Sequence, residues 1–354
     1  MKPTLFFRLI VCTSIFLVSC YRDGPLLTDV PVSDISQKLN DTVPELMRKH
    51  HIEGVAVALI RDGRRSLTQY FGYSDVSTAK RIHAATVYKA ASLGKPIFAY
   101  LVVSLAREGV IDLDAPLYPY IKAHITHQHA GYKSITARMV LSHTTGLPNL
   151  GTTLSAQPFH FTPGSAFEYS GHGYLYLQWA LESITGKHLN QLANEYVFLP
   201  LKMTQTSFVG QEKYSATLAQ GYGHNNQPVT FSPLPTQGYS AWSLLTTLGD
   251  YSQFVAHIIN AAAEPDSIAA QLLVPSIAVT ESLQWGLGWG LQNTKPHYSF
   301  WHWASTAGFR HYCVGYPDEK LAVIVMSNSA RAFSIADDIM VQTIGGHYPS
   351  YDWF

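Results

Sequence analysis

Ser92 and Lys95 stand three residues apart in Ala90-Ala91-Ser92-Leu93-Gly94-Lys95-Pro96. In a loop this spacing means little. At the start of a helix, positions i and i+3 share a face and their side chains can meet. A serine there has free backbone N–H groups and the positive end of the helix dipole beside its hydroxyl. A buried lysine next to it can lose its proton and act as a base. That combination points to nucleophilic chemistry through an acyl-serine. The same serine would also serve as an N-cap, so the surrounding elements have to decide between the two roles.

The residues that follow predict the helix. Ile97 to Leu105 is apolar almost all round, Gly109 stops it, and Pro96 falls in the first turn, where a missing N–H does little harm. Upstream, Asp34 to His50 has helical spacing with Ile35, Leu39, Val43 and Leu46 on one stripe. Gly54 to Ile60 and Ser66 to Tyr73 read as strands joined by a turn at Asp62-Gly63. From about 111 to 280 the pattern is mostly helical with long loops. Ile135 to His143 starts at Thr136 as an N-cap, and Tyr174 to Ile184, Leu189 to Val197 and Ser243 to Ile259 are further helical stretches. Strands return at Trp285 to Leu291 and in a hairpin of His311 to Tyr316 with Leu321 to Met326. Ser334 to Asp337 reads as a capping box for a last helix ending at Gly345-Gly346. The expected fold class is α+β: an antiparallel sheet built from both chain ends, flanked by helices, around a mostly helical middle.

The 354 residues are 47% apolar and 14% charged with zero formal net charge, which indicates a globular chain and gives no sign of a nucleic-acid partner or a basic membrane patch. Met1-Lys2 and Arg8 precede an apolar run, Leu9 to Val18, too short to span a bilayer comfortably. It ends in Leu17-Val18-Ser19-Cys20, which resembles the lipobox of bacterial lipoproteins, with a plain cleaved signal peptide as the alternative. The expectation is a signal over 1–20, lipidation of Cys20 and a polar tether over 21–33. The implied location is the bacterial envelope, at the outer membrane if the cell is Gram-negative because Tyr21 follows the cysteine, with membrane attachment through the lipid alone. Cys12 and Cys313 are the other cysteines, so a lipidated Cys20 leaves no intrachain disulfide.

Several stretches, in order, resemble one family. They are Ser92-Leu93-Gly94-Lys95, Ile111 to Pro116, Ile135 to Pro148, Pro163-Gly164 with Tyr169-Ser170-Gly171, Phe198 to Met203, Leu244 to Asp250, and His302-Trp303-Ala304 followed by Gly308-Phe309. Over residues 40 to 330 the chain is similar to the serine β-lactamase-related hydrolases: class C β-lactamases, penicillin-binding DD-peptidases and esterases on the same fold. The resemblance implies a sheet domain of 34–110 with 281–348, a helical domain of 111–280, and a site between them. It implies Ser92 as nucleophile, Lys95 as acceptor of its proton and Tyr169 as the partner acid and base. Because a phenol's reference pKa is about 10, Tyr169 would rely on the Lys95 ammonium to act as a base. Backbone N–H groups of Ser92 and Ser305 would form the oxyanion hole. His302 would orient a substrate carboxylate or the tyrosine. No metal or organic cofactor is required, and the substrate would be a small ester, amide or cell-wall peptide.

Two positions depart from that pattern. Gly171 stands where the family has asparagine, and Ala304 where it has glycine; the Ala304 methyl and Trp303 are expected to crowd an extended substrate. Both changes favour ester or peptide substrates over penicillins. They also leave open a non-catalytic binding lipoprotein on the same fold. His143 belongs to a stretch read as closing a helix, with no catalytic role. The run His124, His127 and His129 lacks a trusted metal spacing and reads as an exposed loop. An α/β-hydrolase is disfavoured, since no G-x-S-x-G occurs.

Overall fold

The computed structural model describes residues 24–121, 129–149, 159–230, 234–294 and 297–353. The proposed signal and Cys20 lie outside these residues, as do His124 and His127. From Gly24 onward the expected tether is fastened to the body: Leu27 N–H donates to Ile344 O, and the Arg61 guanidinium donates to Leu27 O and Val30 O.

Helix α1 (Val32–His50) buries Ile35, Leu39, Val43 and Met47. The expected stripe ended at Leu46; the i+4 step from Val43 turns Met47 inward instead. β1 (Gly54–Arg61) and β2 (Arg64–Asp75) form the expected hairpin, with positive φ at Asp62 (53°) and Gly63 (68°), as a type I′ turn requires. β3 (Lys80–Arg81) and β4 (Val87–Ala91) lead into α2 (Gly94–Arg107). The middle supplies α3 (Tyr118–Ile121), α4 (Ala137–Leu141, capped by the Thr136 hydroxyl), α5 (Gly171–Thr185) and α6 (Leu189–Ala193). Then come β5 (Leu244–Thr247), α7 (Leu248–Ala261) and α8 (Ile268–Leu272). The C-terminal part gives β6 (Ile277–Ala278), β7 (Leu283–Trp285), β8 (Gly290–Thr294), β9 (His297–Thr306), β10 (Phe309–Tyr316), β11 (Leu321–Ser327) and α9 (Phe333–Ile344).

Among the described residues, nine strands form one sheet in the order β3-β2-β1-β11-β10-β9-β8-β7-β6, antiparallel throughout. The α+β architecture from both chain ends is as expected. Alternate residues of β1 and β11 serve different cores. Ala56, Ala58, Ile324 and Met326 face the core that holds α2, α5 and α7, whereas Val57 and Val323 face α1 and α9. Burial on both faces explains why these strands read as unbroken apolar runs.

Three further local readings differ. Ser243 to Ile259 is not all helix, because Leu244 to Thr247 pairs with β4 before Thr247 caps α7. The Trp285 to Leu291 run is a hairpin bend between β7 and β8, not one strand. Its Gly288 (φ 80°) lies so close to α2 that a Cβ there would sit 2.3 Å from the Ala99 Cβ. The Ser334 capping box does not form; α9 begins at Phe333 with Ala332 as N-cap, and the Ser334 hydroxyl donates to Arg331 O instead.

α2 is buried along nearly its whole length. Each fully buried Ile, Leu, Val or Phe in it contributes roughly 1.5–3 kcal/mol. The helix that carries the Ser92–Lys95 pair is therefore held from all sides.

Candidate active site

β4 delivers Ser92 to the mouth of α2. Its last residue, Ala91, takes a left-handed φ of 45°, an uncommon backbone for an alanine and of the kind concentrated at functional sites. The N-cap position of α2 is taken by Leu93, one residue after Ser92. The N-cap reading of Ser92 is thus set aside. The hydroxyl instead faces Lys95, whose Nζ lies 3.1 Å from Ser92 Oγ and 2.7 Å from the Ala241 carbonyl.

Lys95 is 2% exposed, and none of the ion pairs among the described residues involves it. Burial brings its pKa down to about 7. The ammonium form loses solvation and gains no carboxylate in return. Its Nζ stands 4.8 Å from the centre of the Tyr169 ring and 5.5 Å from that of Tyr174.

Tyr169 comes on the loop before α5. Burial pushes its phenol upward, with the Ser92 hydroxyl beside it acting in the opposite direction. Lys95 therefore gives up its proton well before Tyr169 does. Near neutral pH the pair combines an available amine with an intact phenol, which reverses the expectation that a lysine ammonium would make the tyrosine a base. Ser170, next in the chain, is structural: its hydroxyl caps α5 by accepting from Gly173 N–H and donates to Pro148 O. Gly171 N–H donates to Asn149 Oδ1.

His302 lies on β9, fully buried, among Trp285, Trp289 and Trp303, with its ring centre 6.2 Å from that of Tyr169. Its Nδ1 is 2.7 Å from Trp303 O, a group that only accepts, so Nδ1 carries the proton and Nε2 is a buried lone pair. Burial, and then the Lys95 charge, lower its pKa to about 3, against the pull of the Trp303 carbonyl. A neutral ring has no charge with which to bind a substrate carboxylate. Of the two expected roles, only the orientation of Tyr169 agrees with this environment. Ala304 is fully buried in the larger core, so its methyl packs inward and does not crowd the strand edge.

Ser305 is exposed on the stretch of β9 that outlasts β8, whose pairing ends at Gly290–Trp301. β4, which ends one residue before Ser92, packs against β9. A cavity of about 370 Å³ opens beside them, lined by Lys89, Trp242, Ser243, Val229 and Thr306. Each of Lys89, Trp242 and Thr306 is a near chain neighbour of a site group: Ser92, Ala241 and Ser305.

Three contributors escaped the sequence reading. The Ala241 carbonyl has no side-chain signal at all. Tyr174 is one of 21 tyrosines. His143 carries only a helix-end signal in the sequence. Its ring lies 4.3 Å from that of Tyr169, and Ser170 N–H donates to its Nδ1. No cluster of metal-ligating side chains occurs among the described residues, and none of their helices is long and apolar enough to cross a membrane.

Among curated proteins, the chain is 23% identical over 326 residues to Protein flp of Staphylococcus aureus strain MW2, spanning 84% of this chain and 64% of that one. It is 22% identical over 358 residues to unguisins hydrolase ungD of Aspergillus violaceofuscus, spanning 84% and 62%. The chain thus spans a little under two thirds of these relatives. The octameric penicillin-binding protein homologue from Pyrococcus abyssi has a similar fold, with a TM-score of 0.72 at 21% identity, covering 84% of this chain and 74% of that one. The beta-lactamase family description matches residues 39–342, most of the sequence, and the chain belongs to that family.

Proposed function

We propose that this protein is a serine hydrolase that works through an acyl-enzyme on Ser92. The observation that carries the reading is the 3.1 Å contact between Ser92 Oγ and a buried Lys95 whose pKa falls to about 7. Ser92 Oγ attacks a carbonyl carbon while its proton passes to the Lys95 amine. Tyr169 donates its phenolic proton to the leaving group and is reprotonated from Lys95. Water then attacks the acyl-serine, returning a proton to Ser92 and releasing the acid. The backbone N–H groups of Ser92 and Ser305 are the proposed oxyanion donors.

Small esters are the first substrate class, followed by D-amino-acid peptides or amides, and then β-lactams. The hydrolase named for unguisins among the relatives supports hydrolysis in general. A cavity of about 370 Å³, lined by chain neighbours of the site groups, lies beside β4 and β9. The test is purified protein against p-nitrophenyl esters, D-Ala-D-Ala peptides and a chromogenic cephalosporin, with a fluorophosphonate label in parallel. Label and turnover are expected in the wild type and absent in Ser92→Ala. Turnover that survives Ser92→Ala would overturn the reading. Envelope anchoring through Cys20 is proposed on the sequence alone; a mature N-terminus other than lipidated Cys20 in mass spectrometry would exclude it.

A further inference from the structure

His143 holds the loop around Tyr169 from both sides. Its carbonyl accepts from Glu168 N–H at 2.9 Å, and its ring Nδ1 accepts from Ser170 N–H at 3.0 Å. The residues immediately before and after Tyr169 are thus bound to one histidine. The ring also packs on the phenol, with centroids 4.3 Å apart and planes tilted by 33°.

The arrangement constrains His143 chemically. An Nδ1 that accepts a backbone N–H must be unprotonated, so the ring proton sits on Nε2. The residue is fully buried and takes a left-handed φ of 56°, a backbone that few residues other than Gly, Asn, Asp and His adopt readily. A helix end needs neither a buried imidazole nor a ring hydrogen bond to a segment 27 positions away. The neighbouring backbone extends the grip: Gly164 N–H donates to Thr144 O, and His160 N–H to Gly146 O. The Tyr169 loop is laid along the 143–146 segment, and the His143 ring is the side chain that both bonds this loop and packs on the phenol, alongside the Ser170 hydroxyl on Pro148 O and Asn149 Oδ1 on Gly171 N–H.

We infer that His143 is a positioning residue for Tyr169, holding the phenol where it can protonate the leaving group. The inference rests on the proposed acyl-enzyme reading. In the step concerned, the bond from the carbonyl carbon to the leaving oxygen breaks and that oxygen takes the Tyr169 proton. Tyr169 recovers a proton from Lys95, which had received it from Ser92. A p-nitrophenolate leaves without such help, whereas an alkoxide does not.

The test compares p-nitrophenyl and ethyl esters of one acid, reading kcat/KM for wild type, His143→Ala, His143→Asn and Tyr169→Phe, with a thermal melt of each. His143→Ala is expected to lose roughly 100-fold on the ethyl ester and only a few fold on the p-nitrophenyl ester. Asparagine places Oδ1 near the Nδ1 position and tolerates the left-handed backbone, so His143→Asn is expected to recover most of the ethyl-ester rate. If His143→Ala is not obtained folded, His143→Gln replaces it, because its longer amide cannot reproduce the Nδ1 acceptor. An equal loss on both esters, or none on either, would overturn the positioning role. Tyr169→Phe separates the two levels: if it shows no leaving-group dependence, the acid reading of Tyr169 fails and the inference falls with it. If Tyr169→Phe shows the dependence and His143→Ala does not, only the inference fails.

Discussion

Lys95 Nζ stands 4.8 Å over the face of the Tyr169 ring, while its hydrogen bonds go to Ser92 Oγ and Ala241 O. The lysine thus addresses the serine directly, and the tyrosine presents its ring to the lysine. A proton leaving Ser92 has an acceptor already in place, and the phenol keeps its own proton for another step.

The pH dependence follows from that geometry. Lys95 must be neutral to accept a proton, and burial brings it to about 7. The other titratable groups around it are His143 and His302, held neutral by burial, and Tyr169 and Tyr174, held as phenols by burial. None of these changes charge near neutrality. The kcat/KM for an ester should therefore rise about tenfold from pH 6 to pH 8 along a single ionisation. A profile flat across that window, or one rising only near pH 10, would remove Lys95 as the base.

Tyr169→Phe removes the acid and leaves the ring over Lys95. Turnover of an alkyl ester should fall by roughly 10²–10⁴-fold, the usual contribution of a positioned general acid. Fluorophosphonate labelling of Ser92 should persist, because Lys95 still takes the serine proton. Loss of labelling along with turnover would mean that the phenol is needed to activate the nucleophile itself.

How much of this was legible in the sequence depends on which chemistry carried the signal. The buried helix after Ser92 and the hairpins at both ends were written in apolar runs and turn residues, and they formed. The Asp62-Gly63 turn was read correctly because two positive φ values need such residues. The Ser334 capping box failed because its letters are compatible with a cap that the local backbone does not use; the Ser334 hydroxyl bonds backward to Arg331 O. Leu244 to Thr247 was misread as helix because its partner strand, β4, lies more than 150 positions earlier. In the site, Ser92 and Lys95 were visible as a local i, i+3 pair. The Ala241 carbonyl and the His143 ring bond are long-range contacts, and the order of the Lys95 and Tyr169 ionisations follows from burial that no local pattern encodes.

Lys95 should weaken the fold it serves. Its folded-state pKa of about 7 lies below its ordinary value of 10.5, so between these values the unfolded chain binds the extra proton. Its contribution to stability therefore improves as pH rises from about 7 to about 10.5, and the full penalty is present below 7. Lys95→Met should abolish turnover yet raise Tm, most at pH 6 and least near pH 10. A gain of a few degrees is expected, since ~1 kcal/mol shifts Tm by roughly 1–2 °C in a chain of this size. A Tm that falls at pH 6 would show that the bonds to Ser92 and Ala241 outweigh the buried amine.

His302→Lys tests the electrostatics from the opposite side. The imidazole is fully buried and neutral, and the Lys95 charge already acts to keep it so. An ammonium there would be a second buried cation next to Lys95, with no carboxylate to pair it. The expected cost is about 3 kcal/mol or more, as for other uncompensated buried charges. The protonated fraction of the new lysine would also push Lys95 further down, moving the acid limb of kcat/KM to lower pH. Denaturant melts and the pH–rate profile read the two effects separately. A variant as stable as wild type, with its limb still near pH 7, would mean that position 302 does not share an electrostatic environment with Lys95.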